Sequence, residues 1–409
     1  MNILVERDIE KELRGWLFAR EIIAIRGPRQ SGKTTLLTKI ATLFKNKVPE
    51  QRIHFISFED DLEKEKFEKD PKGYVQYYMQ GETEKHVFLL DEVQYLIEGG
   101  KKLKIVYDSF TNIKLVITGS STLDINEIGS FLVGRVLFFD LRPFSFAEFL
   151  KAKDEKAYVY YRKHKVNLDA PKETSIIFID TLNVLLKEYL AYGGYPRVVL
   201  EKNHEKKRFL LKNLFLTYLE KDIVKVYGIK YKKKMMDLLR NLASLNTSLL
   251  NYDDLCSVTS LHNKELKEIL SILEDTYIIK LVRPFHRNLV TELRKNPKVY
   301  FVDTGLRNFI TGRFDFSNEE WGKLFENYTI NRFAEQKINY WRTTAKAEVD
   351  VIVSEKLPIE VKLHPKITRS LRSFITTYRP PLALIANLSY SEQQRIDNTK
   401  VLLVPLALL

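Results

Sequence analysis

The octapeptide Gly27-Pro28-Arg29-Gln30-Ser31-Gly32-Lys33-Thr34 constrains this chain more than any other stretch. Two glycines separated by four residues are followed by Lys and Thr, with the apolar run EIIAI before them and the helical pattern TTLLTKIATLF after. A glycine loop between a buried strand and a helix gathers backbone N–H groups and the positive end of the helix dipole at one point, which is a cradle for phosphate groups. In such a cradle Lys33 is placed for β- and γ-phosphates, the Thr34 hydroxyl for Mg²⁺, and Thr35 completes the phosphate-facing set. ATP or ADP with Mg²⁺ is therefore the expected ligand.

The surrounding segment alternates short β-branched strands (RIHFISF, HVFLL, KLVITG) with helical stretches, the pattern of a parallel sheet covered on both faces. The first module is thus predicted to be α/β. HVFLLDEVQ puts Asp91 and Glu92 at the carboxyl end of a buried strand, where such sheets bind ligands. Asp91 is expected to hold Mg²⁺ through water, and Glu92 to orient or deprotonate an attacking water. KLVITGSS offers Thr118 and Ser120 as γ-phosphate sensors, or else as helix caps. Arg135 and Arg142 are both candidates to stabilise transition-state charge, with Arg135 preferred.

A chain of 409 residues is too long for one core; its length predicts two to four modules, and the patterning along it divides into four. The first, a P-loop core, spans 1–144. Over 145–229 the spacing is helical, interrupted by Gly193, Gly194 and Pro196, which predicts a helical lid. Over 230–296 a lysine run at 230–234 leads into three short helical patterns and a hairpin, the order of a winged helix-turn-helix, with Ser260 and Asn263 available as a cap. The last, 297–409, is mixed α/β. The single cysteine, Cys256, excludes an internal disulfide and a cysteine-rich zinc site and favours a cytoplasmic location. No run approaches the roughly 20 apolar residues of a membrane span. A net charge of +13 favours a polyanionic partner, and duplex or branched DNA is expected. A homo-oligomer is compatible with all of this.

In the last segment, Glu326 lies in a helical pattern, Asp350 in the strand AEVDVIV, and Glu360 and Lys362 in PIEVKL. Period-two alternation puts Glu360 and Lys362 on one face, and a preceding antiparallel strand would bring Asp350 onto it. Asp350 and Glu360, with the Val361 carbonyl, are a candidate site for one or two Mg²⁺ ions, and Lys362 would position or deprotonate a water. The same alternation also suits ordinary cross-strand charge pairing.

Through GPRQSGKTTLL, FLLDEVQ, VITGSS, GRVLFFDLRPFSFAEFL and GGYPR, the chain resembles archaeal and bacterial ATPases of the AAA+/STAND kind that carry a C-terminal domain of unknown function. By that resemblance Gly194-Tyr195-Pro196 stands where STAND proteins set a Gly-any-Pro motif, with Pro196 against the nucleotide. The Asp350, Glu360 and Lys362 pattern resembles the PD-(D/E)xK nucleases, in the version of Holliday junction resolvases, although Val349 stands where the motif has proline. The resemblance implies an ATPase acting on DNA as an ATP-regulated, Mg²⁺-dependent endonuclease; the alternative is an ATP-driven switch or scaffold that does not cut.

Overall fold

The computed structural model describes residues 4–120, 128–166, 176–220, 232–285, 295–364, 366–389 and 391–409. They divide into two units: residues 6–143 with 271–277, and residues 144–270 with 278–409 and the N-terminal 1–5.

The first unit is built on five parallel strands, β1 (Ile22–Arg26), β2 (Ile53–Ser57), β3 (His86–Asp91), β4 (Ile113–Gly119) and β5 (Val136–Asp140), in the order β2-β3-β4-β1-β5. β3 and β4 are buried along their whole length, as strands covered on both faces must be. One face packs on the helix Lys33–Lys45 through Leu36, Leu37, Ile40 and Phe44. The other packs on the helices Asp61–Lys69, Pro71–Met79 and Gly99–Ser109 through Phe67, Val75, Leu103 and Val106. Because β4 lies between β1 and β3, the phosphate loop after β1 and the acidic pair after β3 are one strand apart. At the other end of the sheet Lys114 is wholly buried, its ammonium donating to the carbonyls of Trp16, Ala19 and Glu21.

The second unit opens with the helices Phe146–Lys153, Glu155–His164 and Ile176–Tyr192. The first is fixed by a capping box between Ser145 and Glu148. LRPFSFAEFL is legible as packing: Phe146 and Phe149 are core residues, and the Phe144 amide donates to the Gly194 carbonyl at 2.7 Å. Gly193 has φ +79°, and a Cβ there would lie 2.1 Å from an Asp303 oxygen, so only glycine fits. Asp303 in turn accepts from the Gly194 and Leu306 amides. Gly194 and Tyr195 of the GGYPR segment are thereby built into this unit's interior, and Pro196 is the first residue of the helix Pro196–Leu200.

The helices Lys232–Ser244, Tyr252–Thr259 and Asn263–Asp275 follow, then the antiparallel strands β6 (Ile279–Pro284) and β7 (Lys298–Phe301). Three helices and two antiparallel strands come in the expected order, while residues 286–294 and residues 230 and 231 of the lysine run lie outside the described residues. Ser260 and Asn263 do not form the expected cap. Ser260 ends its helix in a left-handed conformation, and Asn263 is already helical.

β6 and β7 are not a separate hairpin. They form one edge of an eight-stranded sheet with β8 (Ile338–Arg342), β9 (Glu348–Val353), β10 (Leu357–Val361), β11 (Leu382–Asn387), β12 (Glu392–Ile396) and β13 (Thr399–Pro405), in the order β12-β13-β11-β10-β9-β8-β6-β7. Leu324, Phe325 and Tyr328 of the helix Asn318–Arg332 cover one face, and Leu371, Phe374 and Ile375 of the helix Arg369–Tyr378 cover the other.

Candidate functional sites

The phosphate loop begins where β1 ends. A Cβ on Gly27 would lie 2.1 Å from the Leu141 carbonyl oxygen, so glycine is required for the loop to pass the end of β5. Lys33 is buried, and its ammonium donates to the carbonyls of Gly27 and Pro28 at 3.1 and 3.2 Å. These carbonyls hold the lysine inside its own loop, a weak tether that a charged phosphate group would outcompete. The Thr34 hydroxyl donates to Asp91 Oδ2 at 2.8 Å, and Thr118 on the intervening β4 donates to Asp91 Oδ1. Asp91 is thus held from both sides. Two hard oxygen donors, one from each side of the cleft, suit Mg²⁺. The Ser31 hydroxyl is wholly buried with no partner inside the loop, an unmet polar group that fits a phosphate-binding cradle.

Glu92 follows Asp91 with φ +59°, a left-handed conformation costly for a non-glycine residue and characteristic of functional sites. Its amide donates to Thr118 at 3.1 Å. Gln94 donates to the Glu92 carboxylate and also to Ser120 Oγ at 3.1 Å, linking the ends of β3 and β4. Arg7 donates to the Ser31 carbonyl at 2.9 Å and to the Arg142 carbonyl at 2.5 Å, joining the loop to the segment after β5. Two residues were not anticipated: Gln94 closes the motif FLLDEVQ but was given no role, and Arg7 reaches the loop from 24 residues away.

Arg135 lies elsewhere. Its carbonyl accepts from the Ile22 amide at the start of β1, and its guanidinium pairs with Asp108 at 2.8 Å. The phosphate loop follows the opposite end of β1, about 15 Å away at ~3.3 Å per residue. Arg135 therefore does not reach the phosphate site of its own chain, which corrects the preference for it. Arg142, after β5, is at the right end, and its buried Nε has no partner among the described residues.

The C-terminal carboxylates assemble around a bulge. Asn339 of β8 faces Ile352 of β9, but Trp341 faces Val349, so β9 carries one extra residue at 350–351. Bulges re-aim side chains. β9 and β10 are antiparallel, and Ile359 opposite Val351 is their last pair before Asp350 and Glu360. Asp350 Oδ2 accepts from the Val361 amide at 2.8 Å and from Lys362 Nζ at 3.4 Å. Glu360 is 1% exposed; one oxygen accepts from the Thr368 hydroxyl at 2.6 Å and the other is buried without a partner among the described residues. Burial pushes the Glu360 carboxyl up to about 7, with Asp350 adding to the rise.

Glu326 belongs to the same charge cluster, its carboxyl pushed up to about 7 by burial and by Asp350 against the pull of Lys298. It accepts from Tyr300 at 2.7 Å and from Lys298 at 3.1 Å, and Lys298 also donates to Glu348 at 2.5 Å. Burial works against the Lys298 charge, but Glu326 and Glu348 outweigh it and raise the lysine above its ordinary range. Lys298, Tyr300 and Glu348 were not anticipated, although a lysine and a tyrosine two apart in the apolar strand KVYF do share a face. Among the described residues, no three His, Cys, Asp or Glu side chains are gathered as a ready metal site. Asp350 and Glu360 instead each hold a separate protein partner.

Residues 19–150 match the family described as an AAA domain. This match supports a P-loop AAA+ ATPase over those residues. Residues 183–317 and 321–409 match two domains of unknown function, DUF8612 and DUF4143. An uncharacterized protein of Haemophilus influenzae is 24% identical over 94% of this chain and 93% of its own length. One from Methanocaldococcus jannaschii is 26% identical over 86% of this chain and 77% of its own. Among solved structures, a STAND protein with a tetratricopeptide repeat sensor from Pyrococcus horikoshii aligns at 15% identity over 82% of this chain and 46% of that one, with a TM-score of 0.30. A replication initiator DnaA bound to AMPPCP and single-stranded DNA aligns at 12% identity over 65% of this chain and 86% of that one, at 0.32. TM-scores of this size do not establish a common fold. Among the described residues no helix is long and apolar enough to cross a membrane.

Proposed function

We propose that this protein binds and hydrolyses ATP and couples that cycle to DNA. The observation that carries the ATP half is the Thr34–Asp91–Thr118 chain of hydrogen bonds, which joins the phosphate loop to the acidic strand end across one intervening strand. In this reading Lys33 leaves the Gly27 and Pro28 carbonyls for the β- and γ-phosphates, and the loop amides of residues 27–34 cradle them. Thr34 and Asp91 would hold Mg²⁺, which neutralises phosphate charge when bound. Glu92, fixed by Gln94, orients the attacking water and accepts its proton, and Ser120 lies next to this pair. Arg142 replaces Arg135 as the arginine available to developing charge within one chain.

The DNA half rests on the net charge of +13 and on the C-terminal cluster. The contact of Lys362 with Asp350, beside a buried Glu360, favours a Mg²⁺-dependent endonuclease. There Asp350 and Glu360 would hold the ion and Lys362 would position the water. The competing reading is an ATP switch or scaffold that binds DNA or protein without cutting. Purified protein incubated with Mg²⁺, ATP and supercoiled plasmid tests both halves. Phosphate release supports the ATPase, and its absence overturns it. Nicked circles that disappear in Asp350→Asn support the nuclease. Intact plasmid with Mg²⁺ or Mn²⁺, in a preparation that turns over ATP and binds DNA, selects the switch.

A further inference from the structure

The carboxylate cluster has a basic border confined to one stretch of chain. From 361 to 391 the sequence contains Lys362, Lys366, Arg369, Arg372 and Arg379 and no Asp or Glu. Lys366, Arg369 and Arg372 are exposed. Among the described residues no carboxylate pairs with any of the three, whereas many of the protein's other surface cations do have acidic partners. Arg369 and Arg372 are three apart on the helix Arg369–Tyr378 and share its outer face.

The ridge is tied to the cluster by its first turn. Thr368 caps the helix by accepting from the Leu371 amide at 3.0 Å, while its hydroxyl donates to Glu360 at 2.6 Å. Ser370 Oγ accepts from the Glu348 amide at 3.2 Å. The strands bearing Glu360 and Glu348 are therefore pinned to the helix turn from which Arg369 and Arg372 project. The buried face of that helix is Leu371, Phe374 and Ile375, and beside the arginines its exposed residues are Ser373, Thr376 and Thr377. An outer face with charge and hydroxyls but no exposed apolar residue is unsuited to insertion among lipids, which needs large apolar groups beside the cations. It suits the evenly spaced phosphates of a nucleic-acid strand.

We infer that Lys366, Arg369 and Arg372 form a phosphate track that lays a DNA strand along the helix Arg369–Tyr378 and delivers its backbone to Asp350 and Lys362. This rests on the DNA half of the proposed function and adds a location to it. The track positions; it carries no base-reading group, so binding along it is independent of sequence.

The test is fluorescence anisotropy of a labelled duplex with the full chain, from low to moderate salt, comparing wild type with Arg369→Glu/Arg372→Glu and with the milder Arg369→Gln/Arg372→Gln. Melting temperatures serve as the check on folding. The inference expects a loss of affinity of at least about tenfold and a salt dependence shallower by about two phosphate contacts, since each neutralised phosphate contributes roughly 0.9 to the slope. Unchanged affinity and slope in folded variants, with wild type still binding, overturns the track and leaves the DNA reading standing. Wild type that binds no duplex at low salt overturns both. Wild type that binds phosphatidylserine vesicles through these arginines and binds no DNA also overturns the track, in favour of a lipid surface.

Discussion

The two charged sites of this protein are built in opposite ways. At the phosphate loop the key residues come from a contiguous octapeptide and from strand ends that a parallel sheet must bring to one edge, so backbone geometry alone assembles them. The C-terminal cluster draws on Lys298, Tyr300, Glu326, Glu348, Asp350, Glu360 and Lys362, from three strands, a helix and a strand end. Its geometry depends on one bulge. The first site has a buried Ser31 hydroxyl with no partner in its loop and a buried Lys33 ammonium on backbone carbonyls that phosphate can replace. In the second, most of the charges already meet opposite charges or hydroxyls. A site of the first kind waits for a ligand, whereas one of the second kind must exchange protein partners to take one.

The largest expected effect falls on the first site. Lys33→Ala removes the only loop side chain positioned for the β- and γ-phosphates, and truncating a buried charged partner costs at least about 2 kcal/mol. Nucleotide affinity measured by calorimetry should fall by at least about thirtyfold. Next is Glu92→Gln, expected to keep nucleotide affinity while lowering turnover by about two orders of magnitude or more. Wild-type turnover in that variant would place the base elsewhere.

The second site should reveal itself through pH. Glu360 has a folded-state value near 7, above its ordinary 4.5, so the folded state holds a proton that the unfolded chain releases. Its contribution is complete below about 4.5 and is lost as pH rises to 7, a change of up to about 3 kcal/mol. Glu360→Gln should flatten that part of the stability profile, read by urea denaturation at pH 4.5 and 7. An unchanged profile would mean that Glu360 is ionised and solvated, contrary to its burial. The smallest effect is expected from Arg135→Ala. Exposed ion pairs contribute little, so turnover should stay within about twofold of wild type. A collapse in turnover that depends on protein concentration would assign Arg135 to a neighbouring copy.

The sequence told these sites apart unevenly, for physical reasons. Lys33, Thr34 and Asp91 are legible because loop spacing and strand ends are local properties. The strand directions were legible too, and followed through they decide between the arginines: Arg135 precedes β5 and Arg142 follows it, and in a parallel sheet only the residue that follows shares an edge with the loop. Gln94 was hidden because its work is to hold another side chain. Lys298 was hidden because charge in an apolar strand announces burial without naming its partner, and Glu326 and Glu348 lie 28 and 50 residues away. The bulge at Asp350 leaves no mark in the alternation of AEVDVIV, since its extra residue is itself a valine or an aspartate.

The pairing of β6 with β8 sets how this protein can be divided. Arg283 and Pro284 lie beside Asn339 and Tyr340, so residues within the DUF8612 match and residues within the DUF4143 match contribute neighbouring strands to one sheet. A fragment starting near 321 would lose β6 and β7 and leave β8 with a bare row of amides and carbonyls, a template for association with other chains. Two segments recognised as separate families are therefore half-products of one fold. An expression fragment meant to isolate the carboxylate cluster should therefore begin ahead of Ile279.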